Sequence, residues 1–122
     1  MIWYHYVSYF IGGMFLTNAI PHLVSGLMGR PFQSPFAKPR GEGMSSSTVN
    51  VLWGWFNVAV AYVLLCQVGA FDLRNVGHVA VVLLAAVPSS MALANRFGRF
   101  NGGNNPLGHE VSSVSSVTAA SR

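Results

Sequence analysis

From Met1 to Gly29 the chain has no Lys, Arg, Asp or Glu, and two more stretches, 43–71 and 75–95, are equally uncharged. No other feature limits the fold so strongly. About 20 apolar helical residues, rising 1.5 Å each, cross the hydrocarbon of a bilayer. Each stretch is long enough. The backbone needs this geometry too, because in lipid only a helix satisfies its own N–H and C=O groups within one segment. Composition points the same way. Charged residues are 8% and apolar residues 52% of 122, against roughly 25% charged in soluble domains. A soluble fold of this size would leave large apolar patches in water.

The expected fold is therefore an all-α membrane protein with three transmembrane helices, over about 4–26, 49–68 and 75–95. Trp3, Tyr4, Tyr6 and Tyr9 open the first span with rings suited to the headgroup level. Gly12 and Gly13 lie deeper, where a missing side chain lets another helix approach. Pro21 is expected to kink the first span or end its regular part. Asn50, Asn57 and Gln67 interrupt the second span, and Trp53, Trp55 and Phe56 stand near its start. Pro88 lies inside the third. Ala86, Ser90 and Ala94 recur every four residues there as a small-residue face for helix contact.

Between the first two spans lies a loop over 29–47. Pro31, Pro35 and Pro39 exclude a regular helix there. Phe32 and Phe36 are too apolar for a free linker, so this loop is expected to be ordered, with its rings against the helix ends or in the interface. Ser45 to Thr48 offer N-caps for the second helix. Residues 101–122 are rich in Gly, Asn and Ser, and are expected to form a disordered polar tail.

Seven basic and three acidic residues give a net charge of +4. Arg30, Lys38 and Arg40 fall in the first loop, Arg96, Arg99 and Arg122 after the third span, and only Arg74 on the other side. The positive-inside rule then puts the N-terminus outside and the C-terminus in the cytoplasm. The basic residues fit contact with anionic lipid. They form no stripe with interleaved aromatics, so nucleic acid is not an expected partner. The N-terminus lacks the basic region of a secretory signal, and the first segment is expected to be retained. Cys66, the single cysteine, permits neither an internal disulfide nor a cysteine zinc site, and is expected to be a small buried hydrophobe.

Two constellations carry candidate chemistry. Asn18 and His22, four residues apart, share one helix face with Gly26. Asn57, Ser89 and Ser90 are expected at a similar depth on the other spans, and Pro21 and Pro88 each free a carbonyl nearby. Polar groups in hydrocarbon are costly unless paired. These groups are expected to meet either as interhelical hydrogen bonds, worth about 0.6 kcal/mol each, or as a small-molecule, lipid-headgroup or proton site in which His22 titrates. The second constellation is His5 with His78 near the opposite ends of their spans. Two facing imidazoles could ligate haem or copper, but no CxxCH motif or dense ligand cluster accompanies them, and no cofactor is expected. His109 and Glu110 read as a solvated pair in the tail. No nucleophile motif, phosphate loop or HExxH occurs. Every Asp and Glu lies outside the spans, which weighs against an ion-driven pump.

Asn18, Pro21, His22, Gly26, Gly29, Phe32, Ser34, Pro35 and Phe36, followed by Asn50, Trp53 and Gly54, form a pattern that resembles a family of small bacterial integral membrane proteins of unknown function. The likeness covers about residues 8–65. It implies a bacterial inner-membrane setting and no particular chemistry. The expected function is that of an accessory or structural subunit, lipid-embedded and assembled as a homo-oligomer or within a larger membrane complex. Its alternative is a binding or transport protein using the layer around Asn18, His22 and Asn57, and a haem-carrying electron-transfer subunit stands behind both.

Overall fold

The computed structural model describes residues 2–103 and 117–121. They fall into two compact units, one up to Met91 and the other from Ala92 onward. Helix α1 spans Trp3–Leu27, a two-residue strand β1 covers Phe32–Gln33, and β2 covers Met44–Ser45. Helix α2 spans Ser47–Tyr62 and widens into a π-helical turn over Val63–Gln67, and helix α3 spans Val76–Asn101. All three helices are long and apolar enough to cross a membrane.

Helix α1 continues past Pro21, which does not end it, and stops at Leu27. Its end has a local cause. Arg30 N–H donates to the Ser25 carbonyl (2.9 Å) and Gly29 N–H to that of Gly26 (3.0 Å), while Gly29 sits at φ +73°. This is the Schellman stop, which needs a residue at positive φ just past the cap. Pro31 then forbids any resumption.

The loop that follows is a miniature hairpin. β1 and β2 pair antiparallel, with Phe32 opposite Ser45 and Gln33 opposite Met44. Ser34 N–H donates to Gly43 O and Gly41 N–H to Ser34 O, which closes the excursion through the prolines. Gly41 takes φ +72° at that closure. Ser46 then caps α2 by accepting from the Val49 N–H at 3.2 Å.

The packing of α1 on α2 follows from where small residues fall. On α2 the buried positions are Asn50, Gly54, Asn57 and Ala61, a four-three-four spacing. On α1 they include Ser8, Gly12, Ala19, His22 and Gly26, which repeat with the same mean period. A 3.5-residue seam keeps two helices in continuous contact. The seam is nearly free of large apolar side chains, so the backbones come close. A Cβ on Gly26 would lie 2.7 Å from Ser47 O and 2.9 Å from Val51 N, and one on Gly54 would lie 3.1 Å from Leu23 N. Gly12 lies against Leu64 and Leu65, while Gly13 meets Val82 O and Ala85 of α3.

Four expectations need correction. The third helix continues past Asn95 to Asn101, taking in Arg96, Phe97, Arg99 and Phe100; that segment has no proline, its one glycine, Gly98, is tolerated within the helix, and the chain turns at Gly102, which adopts φ +76°. Within 101–122, Asn101 closes α3 and residues 117–120 are helical. Residues 104–116 and 122 of the expected disordered tail, His109 and Glu110 included, lie outside the described residues. Cys66 is exposed, not buried, since the π turn carries no buried residue. On α3 the buried small residue is Ala85, one position from the expected stripe. Ala86 is half-buried, and Ser90 and Ala94 are exposed.

Candidate functional site: a paired polar seam between two helices

Asn50 is the pivot of the interior. It is completely buried, and its amide nitrogen lies 3.1 Å from Phe32 O, 3.1 Å from Ser45 O and 3.0 Å from Ser46 O. Three carbonyl neighbours identify that atom as the NH2, which shares its two protons among them. The amide oxygen therefore faces the His22 ring, and Nδ1–H of His22 donates to it at 2.7 Å. The imidazole is 2% exposed. Phe32 meets it edge-on with centroids 5.5 Å apart, and Trp53 does so at 6.4 Å. One asparagine thus joins both strands of the hairpin, the first turn of α2 and the C-terminal part of α1.

Seven residues further along α2, Asn57 is also fully buried. Its amide oxygen accepts from Asn18 Nδ2 at 3.1 Å, and its own NH2 donates to Trp53 O at 2.8 Å. Asn18 and His22 are both engaged with α2, but with different partners on successive turns. The depth argument grouped them in one layer, whereas the antiparallel crossing separates them. Ser90 does not join that layer: it is exposed, and its hydroxyl donates back to Ala86 O at 2.7 Å. A serine in a helix can satisfy itself this way with no interhelical partner. Ser89 is half-buried on the same turn.

In the loop, Gln33 and Ser34 are 3% and 1% exposed. Ser34 Oγ lies 2.5 Å from Ser45 Oγ and accepts from the Phe36 N–H at 3.1 Å. Pro35 follows at the surface, and Phe36 sets its ring edge-on to Trp53 at 5.2 Å. Phe32 thus packs inward on His22, and Phe36 outward along α2. Among the described residues, no buried side-chain nitrogen or oxygen lacks a hydrogen-bond partner.

The far end of the unit is aromatic. Tyr9 is 1% exposed, with the rings of His78 at 4.9 Å, Phe71 at 5.3 Å, Tyr6 at 6.0 Å and His5 at 6.4 Å. A Cβ on Gly69 would reach 2.5 Å from the Tyr9 hydroxyl and 2.8 Å from His5 Cγ. His78 accepts the Asp72 N–H at Nδ1 (3.1 Å). His5 packs among Tyr4, Tyr9 and Gly69. The pair considered for haem or copper is thus held by ring packing and a backbone N–H, and no group of three or more metal-ligating side chains occurs among the described residues. Nearby, Ser8 Oγ donates to Leu64 O at 2.5 Å, at the π turn. Such a turn displaces backbone groups from the regular ladder, and here a side chain of α1 takes one up.

Sequence reasoning undervalued Asn50, Gln33, Ser34 and Tyr9. The signal for Asn50 was present in the four-three-four spacing with Gly54, Asn57 and Ala61. Nothing in the sequence indicates that Asn50 also reaches Phe32 O, because that contact depends on the hairpin folding back over the end of α2. No protein family, curated protein or solved structure matches the chain.

Proposed function

We propose that the protein is a packing subunit of a membrane assembly, one that works through its lateral surface and not through an internal site. The observation that carries this reading is the closed accounting of the interior: Asn18 with Asn57, His22 with Asn50, and Ser34 with Ser45. A ligand site keeps polar groups available to its ligand, and here they are spent on one another. The lateral surface is the complement. Only 33%, 22% and 6% of the apolar windows of α1, α2 and α3 are buried within the chain. Lipid, further copies or partner subunits cover the remainder.

Native mass spectrometry of the protein, extracted in mild detergent, tests this. Assemblies larger than one chain, or a co-purifying membrane partner, are expected. A lone chain at every concentration and with no partner would end the proposal. The alternative, a small-molecule site around Asn18, His22 and Asn57, requires that a ligand stabilise the wild type and fail to stabilise a folded Asn18→Ala variant.

The proposal includes a setting. The bacterial inner membrane is implied by the likeness to small bacterial membrane proteins. The N-terminus is placed outside and the C-terminus in the cytoplasm by Arg30, Lys38, Arg40, Arg96 and Arg99 against Arg74 alone. A reporter fluorescent only in the cytoplasm, fused after Arg122, is expected to fluoresce. A periplasmic phosphatase active at the same fusion point would reverse the orientation.

A further inference from the structure

We infer that the loop end of α2 carries a site for one anionic phospholipid, with an acyl chain in an aromatic groove and the phosphate among the loop cations. The inference rests on the reading that the helices span a bilayer. An open groove of about 660 Å³ is lined by Phe36, Val49, Leu52, Trp53 and Phe56, a volume within the range of small-molecule sites. Its walls are fixed from behind. Trp53 stacks on Phe56 at 5.5 Å and receives the edge of Phe36 at 5.2 Å. Phe36 is in turn anchored through its N–H to Ser34 Oγ, and Ser34 is held by Ser45. Yet Phe36, Leu52 and Phe56 are 63%, 66% and 55% exposed. In a bilayer this flank is in contact with lipid, so the occupant of the groove is an acyl chain.

Charge selects which lipid. Lys38 and Arg40 are exposed and follow Phe36 by two and four residues. An extended chain spans at most about 3.6 Å per residue, so their Cα atoms lie within roughly 7 and 14 Å of that of Phe36. The bonds Gly41 N–H to Ser34 O and Ser34 N–H to Gly43 O close the loop on Ser34, two residues before Phe36 of the groove wall, so the segment carrying both cations starts and ends near that wall. Arg30 adds a third positive charge to the loop, and Glu42 is its only acid. Cations at a membrane surface favour anionic lipid by roughly five-fold each. The hairpin thus presents an apolar wall and a positive rim side by side, matching the two halves of a phospholipid such as phosphatidylglycerol.

The test uses the full chain in mild detergent with equimolar phosphatidylglycerol and phosphatidylcholine of identical acyl chains, read by native mass spectrometry. The wild type is expected to retain phosphatidylglycerol at least about tenfold over phosphatidylcholine. Lys38→Glu with Arg40→Glu is expected to abolish that preference. Leu52→Trp, at an exposed position where a larger side chain occupies groove space, is expected to lower retention of both lipids. Equal retention by the wild type, or a preference unaltered in the charge-reversed variant, overturns the site. Undiminished retention in Leu52→Trp overturns the groove as the acyl-chain seat. Alkaline extraction of native membranes separates the two levels. A chain that leaves the membrane fraction defeats the spanning reading itself, while one that stays but shows no lipid preference defeats only this inference.

Discussion

Asn50→Leu is expected to destabilise the protein by about 1–3 kcal/mol. Leucine keeps the branching of asparagine and adds apolar volume, so an account by hydrophobic transfer alone predicts no loss. The hydrogen-bond account predicts otherwise. The substitution strands the Nδ1–H of His22. A buried polar group deprived of its partner costs about 1–3 kcal/mol. Phe32 O and Ser45 O lose the amide but keep the antiparallel pairing of their strands, and Ser46 O keeps the backbone N–H of residue 50. Detergent-denaturation curves measured side by side give the difference. A double-mutant cycle with His22→Leu isolates the pair, because removing both partners of a buried bond costs far less than removing one. The double variant is expected to be more stable than the sum of the single changes predicts. The hairpin supplies a second readout. Arg30 and Lys38 precede prolines, so trypsin can cut the loop only after Arg40, and that cut is expected to be much faster in Asn50→Leu. Wild-type stability and an unchanged cleavage rate would mean that Asn50 does not join the loop to the helices.

Gly26→Ala is expected to destabilise by about 1–3 kcal/mol, the range for overpacking a close contact. The sign is informative. By intrinsic helix propensity, alanine in place of a helical glycine stabilises by up to about 1 kcal/mol, less in a last turn such as that of Gly26, so a helix lying free in lipid would not lose. Here the new Cβ would meet Ser47 O at 2.7 Å and Val51 N at 2.9 Å. Backbone in the first turn of α2 cannot rotate away as a side chain can. The helices must separate, and the pairing of His22 with Asn50, one turn along, stretches with them. Gly12→Ala is the control. The nearest atoms to its Cβ would be those of the Leu64 and Leu65 side chains, at 3.0–3.2 Å, which need to give by only a few tenths of an ångström, so a smaller loss than at Gly26 is expected. Equal effects at the two positions would show that glycine acts through the unfolded chain and not through helix approach.

The contrast between these glycines marks how far the sequence could be read. Both stand out as places where a helix could come near. Only the crossing distinguishes one that meets backbone from one that meets a movable leucine. The same holds for the polar residues. Asn18, His22 and Asn57 were recognisable because an amide or imidazole in hydrocarbon must find a partner. Their partners were not recognisable, because depth along a helix axis leaves rotation and register open. A rotation of one residue on α3 exchanges Ala86 for Ala85 as the contact to α1, and leaves Ser90 turned on its own helix.

That the chain forms three helices long and apolar enough to cross a membrane was a property of the sequence by itself. Transfer into lipid is summed residue by residue, and charge within a span is costly wherever the span sits, so local composition suffices. Their mutual fit was not. The meeting of His22 with Asn50, the return of Phe32 and Ser45 to the same amide, and the groove beside Phe36 each require two segments far apart in the chain to be in place together. That pairing energy is short-ranged, falling away within a fraction of an ångström of misfit, and only the folded arrangement sets those distances.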